Sequence, residues 1–134
     1  MNILLIYPQF PDTYWSFKHA LQFVGKKVSS PPLGLITVSA LLPDQWHKKL
    51  IDMNASNLTQ NDINWADLIF ISAMIVQRDS VHAIISQVKK HNKKIVAGGP
   101  LFTAESEKFS DIDYLILNEA EVTLPLFLND LEKG

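Results

Sequence analysis

Residues 67–100 read DLIFISAMIVQRDSVHAIISQVKKHNKKIVAGGP, and the three-part pattern in them decides the fold. Asp67-Leu-Ile-Phe-Ile-Ser72 is an apolar run without a polar alternate position, as in a strand covered on both faces. From Asp79 to about His91, the residues Val81, Ile84, Ile85 and Val88 recur at i, i+3, i+4 and i+7, the spacing of an amphipathic helix. Lys94-Ile-Val-Ala97 is another short buried strand, running directly into Gly98-Gly99-Pro100. A strand, a crossover helix and a strand of these lengths make a parallel pair with a right-handed connection.

The same alternation extends both ways. Upstream, Asn2-Ile-Leu-Leu-Ile-Tyr7 is a strand stopped by Pro8. Pro31-Pro32-Leu33-Gly34-Leu35 opens a helix that Pro43 ends after about Leu42, and Lys49-Leu-Ile-Asp-Met53 is the next strand. A short helical turn is expected near Asp62 to Ala66. Downstream, Tyr114-Leu-Ile-Leu117 is a fifth strand running into Asn118-Glu119, followed by a helix over Glu121 to Lys133 with a bend at Pro125. Short buried strands separated by helical segments predict an α/β domain: a doubly wound, flavodoxin-like sheet of five parallel strands with helices on both faces. Between Pro8 and Pro32 lies a long segment rich in aromatics (Phe10, Tyr14, Trp15, Phe17, Phe23), with one helix expected around Tyr14 to Val24, ended by Gly25.

The 134 residues fit a single domain. Hydrophobic residues make up 47% and charged residues 19%, a balance that buries a core. The formal net charge of −2 comes without a basic stripe, so nucleic acid is not an expected partner. There is no cysteine, which excludes disulfides, thiolate zinc, a cysteine nucleophile and a cysteine-bound iron–sulfur cluster within these residues. No stretch approaches the roughly 18 apolar residues of a membrane span, and the run at Ile3 to Tyr7 is too short for a secretory signal. A soluble, cytoplasmic protein is expected.

In an open α/β sheet, ligands bind beyond the carboxyl ends of the strands. The residues there are Tyr7-Pro8-Gln9, Asp52-Met53-Asn54, Ser72-Ala73-Met74, Gly98-Gly99-Pro100 and Asn118-Glu119-Ala120-Glu121. Gly98-Gly99 permits close approach of a bulky ligand to the backbone, or simply a tight turn. Glu119 and Glu121 are compatible with acid–base work, with metal ligation, or with favouring a helix N-terminus. His19, His47, His82 and His91 form no metal-binding spacing. Neither a GxGxxG fingerprint nor a GxxxxGK[ST] phosphate loop is present. Tyr7 and Ser72 stand where a phosphoacceptor receiver would need acidic residues. Pro8-Gln9-Phe10-Pro11 is not the hydroxyl-rich phosphate loop of a flavodoxin.

As an ordered set, these pieces resemble the N-terminal cobalamin-binding domain of cobalamin-dependent radical S-adenosylmethionine proteins. The matching stretches are Ile3-Leu-Leu-Ile-Tyr-Pro8, Pro31-Pro-Leu-Gly-Leu35, Leu50-Ile-Asp-Met-Asn54, Phe70-Ile-Ser-Ala-Met74, Gly98-Gly-Pro100 and Asn118-Glu-Ala-Glu121. Pro31 to Leu35 is the most specific of them. The resemblance implies a corrin across the carboxyl edge of the sheet, with its nucleotide tail in a groove beside the strands. It implies Leu33 and Gly34 at the corrin rim, Ser72 and Met74 facing ring or tail, and Gly98, Gly99 and Pro100 letting the tail pass. Glu119 and Glu121 would then hydrogen-bond corrin amides, with Asn118 beside them in the cofactor site.

Asp12-Thr13-Tyr14-Trp15-Ser16-Phe17 lacks the histidine and glycine of the DxHxxG loop found in methionine synthase and the mutases, so histidine ligation of cobalt from that loop is not expected. The family's radical half needs CxxxCxxC. A chain without cysteine is therefore expected to be the cofactor-holding domain, residues 1–134, excised from a longer methyltransferase and inactive alone. The 4Fe-4S cluster, the S-adenosylmethionine and the small-molecule substrate would belong to a downstream radical domain. The alternative from another class is a docking domain of the same fold without its ligand.

Overall fold

The computed structural model describes residues 1–11 and 32–134. The helix expected around Tyr14 to Val24, the Asp12–Phe17 loop and His19 lie outside the described residues.

Among the described residues, five strands form one parallel sheet in the order β2-β1-β3-β4-β5: β1 (Asn2–Tyr7), β2 (His47–Asp52), β3 (Leu68–Ser72), β4 (Lys94–Gly98) and β5 (Tyr114–Ile116). This is the flavodoxin-like order, in which the chain leaves β1 towards one side of the sheet and β3 towards the other. The described helices are α1 (Leu33–Leu41), α2 (Gln60–Trp65), α3 (Arg78–Lys89), α4 (Pro100–Glu105) and α5 (Ala120–Lys133).

Alternation along the strands divides the core in two. Leu4, Ile6, Ile69, Ile71, Ile95 and Ala97 pack with Ile63 of α2, with Val81, Ile84, Ile85 and Val88 of α3, and with Leu101 and Phe102 of α4. Ile3, Leu5, Tyr7, Phe70, Val96 and Ile116 pack with Leu35 of α1 and Leu124 of α5. The sheet is thus covered on both faces. The four apolar residues read in α3 are all buried and account for its orientation.

Two features differ from expectation. First, β2 begins at His47 rather than Lys49, and β2 and β5 are edges, with Leu50 41% and Leu115 37% exposed rather than buried. An apolar run alone does not say which strand has a neighbour on only one side. Second, Gly98-Gly99-Pro100 leads straight into α4, with Gly99 as N-cap and Pro100 in the first turn, where its missing N–H costs nothing. As expected, Pro125 lies inside the closing helix α5; it has no N–H to give, so the Glu121 carbonyl lacks an i+4 backbone donor.

Candidate functional site

A groove of about 210 Å³ opens at the carboxyl ends of β3, β4 and β5, on the face covered by α1 and α5. Its floor is apolar, made of Phe70, Val96 and Ile116, and its walls are the first turns of α1 (Gly34, Leu35, with Thr37 and Val38) and α5 (Glu119, Ala120, Glu121). Strand register accounts for the floor. Phe70 pairs with Val96 one step before Ser72 pairs with Gly98 on the same face, and Gly98 pairs in turn with Ile116.

The last row of the sheet is therefore Ser72-Gly98-Ile116, and the absence of a side chain in its middle keeps the groove open. A Cβ on Gly98 would stand 2.8 Å from the Ile116 carbonyl oxygen. Gly99 has φ +96°, and a Cβ there would meet Ser72 Oγ at 2.9 Å and the Ala73 oxygen and nitrogen at 3.0 and 3.1 Å. That close approach lets Leu101 N–H donate to the Ala73 carbonyl at 3.0 Å, joining the β3 and β4 loops. Across the groove, a Cβ on Gly34 would lie 3.4 Å from Ser72 Oγ. Ser72 thus faces two glycines that leave its hydroxyl room.

Asn118 turns the chain into α5 from the left-handed region, φ +65°, which asparagine tolerates better than most residues, and its N–H donates to Thr103 Oγ1 at 3.2 Å. Glu119 is the N-cap of α5 and Pro32 that of α1; neither supplies a side-chain cap. Thr37, Ser72, Asn118, Glu119 and Glu121 all line the groove, and among the described residues their side chains make no hydrogen bond or ion pair. An apolar floor with a few unengaged polar groups around it is the make-up of a small-molecule site.

Of the residues singled out from sequence, Gly34, Ser72, Gly98, Gly99, Asn118, Glu119 and Glu121 come together here. Leu33, Met74 and Pro100 do not line the groove; they are exposed beside it, on the carboxyl edge. Leu33 and Met74 are 66% and 46% exposed, and Ile75, Val76 and Val122 are further exposed apolar side chains. Sequence reasoning missed Thr37, Val38, Phe70, Val96, Ile116 and Ala120. One signal was available: Thr37 follows Gly34 by a helical turn, so the two share a face.

Away from the groove, Arg78 at the start of α3 donates Nε–H to Glu105 Oε2 at 2.8 Å and bonds the other carboxylate oxygen through its second nitrogen. The guanidinium holds the Glu105 carboxyl below its ordinary range. Among the described residues no cluster of three or more metal-ligating side chains occurs, and no helix is long and apolar enough to cross a membrane.

The family model of the B12 binding domain matches residues 27–128. An uncharacterized methyltransferase of Synechocystis is 48% identical over the whole of this chain, which covers 25% of that protein. The hopanoid C-2 methylase of Rhodopseudomonas palustris is 30% identical over 88% of the chain, and 23% of its own length is matched. An uncharacterized methyltransferase of Pyrococcus horikoshii is 27% identical over the whole chain, covering 30% of that protein. The chain therefore spans about a quarter of the length of the curated relatives it matches.

Proposed function

The chain belongs to the B12-binding domain family, and on that premise we propose that it is the corrinoid-holding module of a radical S-adenosylmethionine methyltransferase. The observation that carries the proposal is the groove at the carboxyl edge, kept open by Gly34, Gly98 and Gly99 around the Ser72 hydroxyl. A bulky ligand with an apolar ring and amide substituents needs such a bed: apolar area for affinity, with a few polar groups for orientation.

In this reading Gly98 and Gly99 admit the nucleotide tail beside β4, with Ser72 and Thr37 offering hydroxyls to it. Leu33 and Met74, exposed on the edge, provide apolar contact for the corrin, and Pro100 keeps the start of α4 clear of it. Asn118, Glu119 and Glu121 accept hydrogen bonds from corrin amides, and the Glu121 carbonyl left without an i+4 donor by Pro125 is a further acceptor. When bound, the corrinoid supplies a cobalt centre that carries a methyl group. Three methyltransferase relatives several times longer than this chain support a further portion of the protein; in this reading that portion holds the 4Fe-4S cluster, S-adenosylmethionine and a small-molecule substrate. This chain, without cysteine, does not hold the cluster.

The test is binding. Full-length protein incubated with hydroxocobalamin and desalted is expected to retain the corrin absorption bands in a near-stoichiometric amount. Their complete loss on desalting overturns the proposal. Iron and sulfide analysis of the same full-length protein tests the radical half separately.

A further inference from the structure

One buried carboxamide organises the carboxyl edge. Gln77 is 0% exposed, although it directly follows Met74, Ile75 and Val76, which are 46%, 46% and 43% exposed. Its Nε2 donates to the Pro8 carbonyl at 2.6 Å, and its Oε1 accepts the Met74 N–H at 2.7 Å. Chemistry fixes which end is which: the Pro8 carbonyl can only accept, and the Met74 N–H can only donate. A second donor reaches the same Pro8 carbonyl, Asn54 Nδ2 at 3.1 Å, while Asn54 Oδ1 accepts the Phe10 N–H at 2.8 Å. The loops following β1, β2 and β3 are thus tied at a single oxygen. β1 and β3 are the neighbouring strands from which the chain departs in opposite directions, the switch point where such sheets bind ligands.

Burying a glutamine costs desolvation that methionine or leucine of similar volume would avoid. What the amide provides instead is a unique geometry, because both of its ends are used. The geometry it enforces holds three consecutive apolar side chains out in water on a short turn, which brings the free protein no burial. We infer that Gln77 is a positioning residue for the cofactor bed. It holds the apolar Met74–Val76 turn and the Pro8–Pro11 loop in fixed relation, so that the edge is ordered before the corrinoid arrives and binding does not have to order it. This rests on the corrinoid proposal above.

The experiment measures hydroxocobalamin affinity, and the induced circular dichroism of the bound corrin, in full-length protein. Gln77→Met, equal in size but without an amide, is expected to weaken binding at least tenfold and to alter the induced dichroism. Val88→Ala serves as a control: it opens the α3 core, lowers stability, and is expected to leave affinity within twofold and the dichroism unchanged. Should Gln77→Met fail to fold, Asn54→Ala frees the Pro8 carbonyl from its other side and is expected to weaken binding at least threefold. Wild-type affinity and dichroism in Gln77→Met, or in Asn54→Ala where it replaces it, overturn the inference. So does a loss of affinity in Val88→Ala that matches its loss of stability as closely as in the Gln77 variant. A wild-type protein that retains no corrinoid overturns the cofactor proposal itself, and this inference with it.

Discussion

Gly98 and Ile116 lie in register across β4 and β5, so close that a Cβ on the glycine would stand 2.8 Å from the isoleucine carbonyl oxygen. Backbone rather than a flexible side chain is the obstacle, so alanine at 98 must push β5 away from β4. Gly98→Ala is expected to destabilise the protein by about 1–3 kcal/mol. Urea denaturation of the variant with an unchanged midpoint would show that β5 yields more easily than this contact implies.

Gly99→Ala combines a left-handed backbone, φ +96°, with three short contacts. A loss of about 1–3 kcal/mol is expected. Adding Ser72→Ala relieves the contact to Oγ but not those to the Ala73 backbone, so the double variant recovers only part of the loss. Full recovery in a double-mutant cycle would place all the strain in the hydroxyl.

Gly34→Ala separates stability from binding. A Cβ at 34 meets Ser72 Oγ at 3.4 Å, an ordinary contact, and alanine favours the helix by up to about 1 kcal/mol over glycine. The variant is expected to melt at or above the wild-type temperature yet bind hydroxocobalamin several-fold more weakly, because the added methyl narrows the groove. Unimpaired binding would remove Gly34 from the site.

Asp62 predicts an acid-sensitive contribution to stability. Its buried carboxylate accepts from Lys49 Nζ and from the Thr59 N–H and hydroxyl. The Lys49 bond, aided by Thr59 and opposed by burial, holds its pKa below the ordinary 3.8. A group with a depressed folded-state pKa stabilises the fold fully above the unfolded value and loses that contribution as pH falls through the folded one. Denaturation followed from neutral pH to about pH 2 is expected to show this loss in wild type and a shallower acid limb in Asp62→Asn. Superimposable acid limbs would contradict it.

The parts of the fold legible in the sequence are those fixed by local patterning. The run Leu68 to Ile71 and the spacing of Val81, Ile84, Ile85 and Val88 need no partner to be recognised, because two-sided burial excludes polar residues and one-sided burial imposes a helical period. The helix at Pro100–Glu105 was not legible: six residues are too few to show a period, and the Gly-Gly pair ahead of it is equally at home in a turn. Neither was the edge position of β2, since Leu50 is apolar whether or not a strand lies beyond it.

The site divides in the same way. Post-strand position alone placed Ser72, Gly98, Gly99, Asn118, Glu119 and Glu121 at the carboxyl edge, and all of them line the groove. Its floor of Phe70, Val96 and Ile116, and the exclusion of Met74 and Pro100 from it, depend on which helices cover which face. So does the role of Gln77, whose two partners stand 69 and 3 residues away along the chain. By itself the sequence determined the strands, the longer helices, their order and the edge at which a ligand site is expected, because sterics and burial act over a few residues. Only the tertiary structure decided the groove and the clamp beside it, because each forms from residues that meet only when strand register and helix placement bring distant segments together.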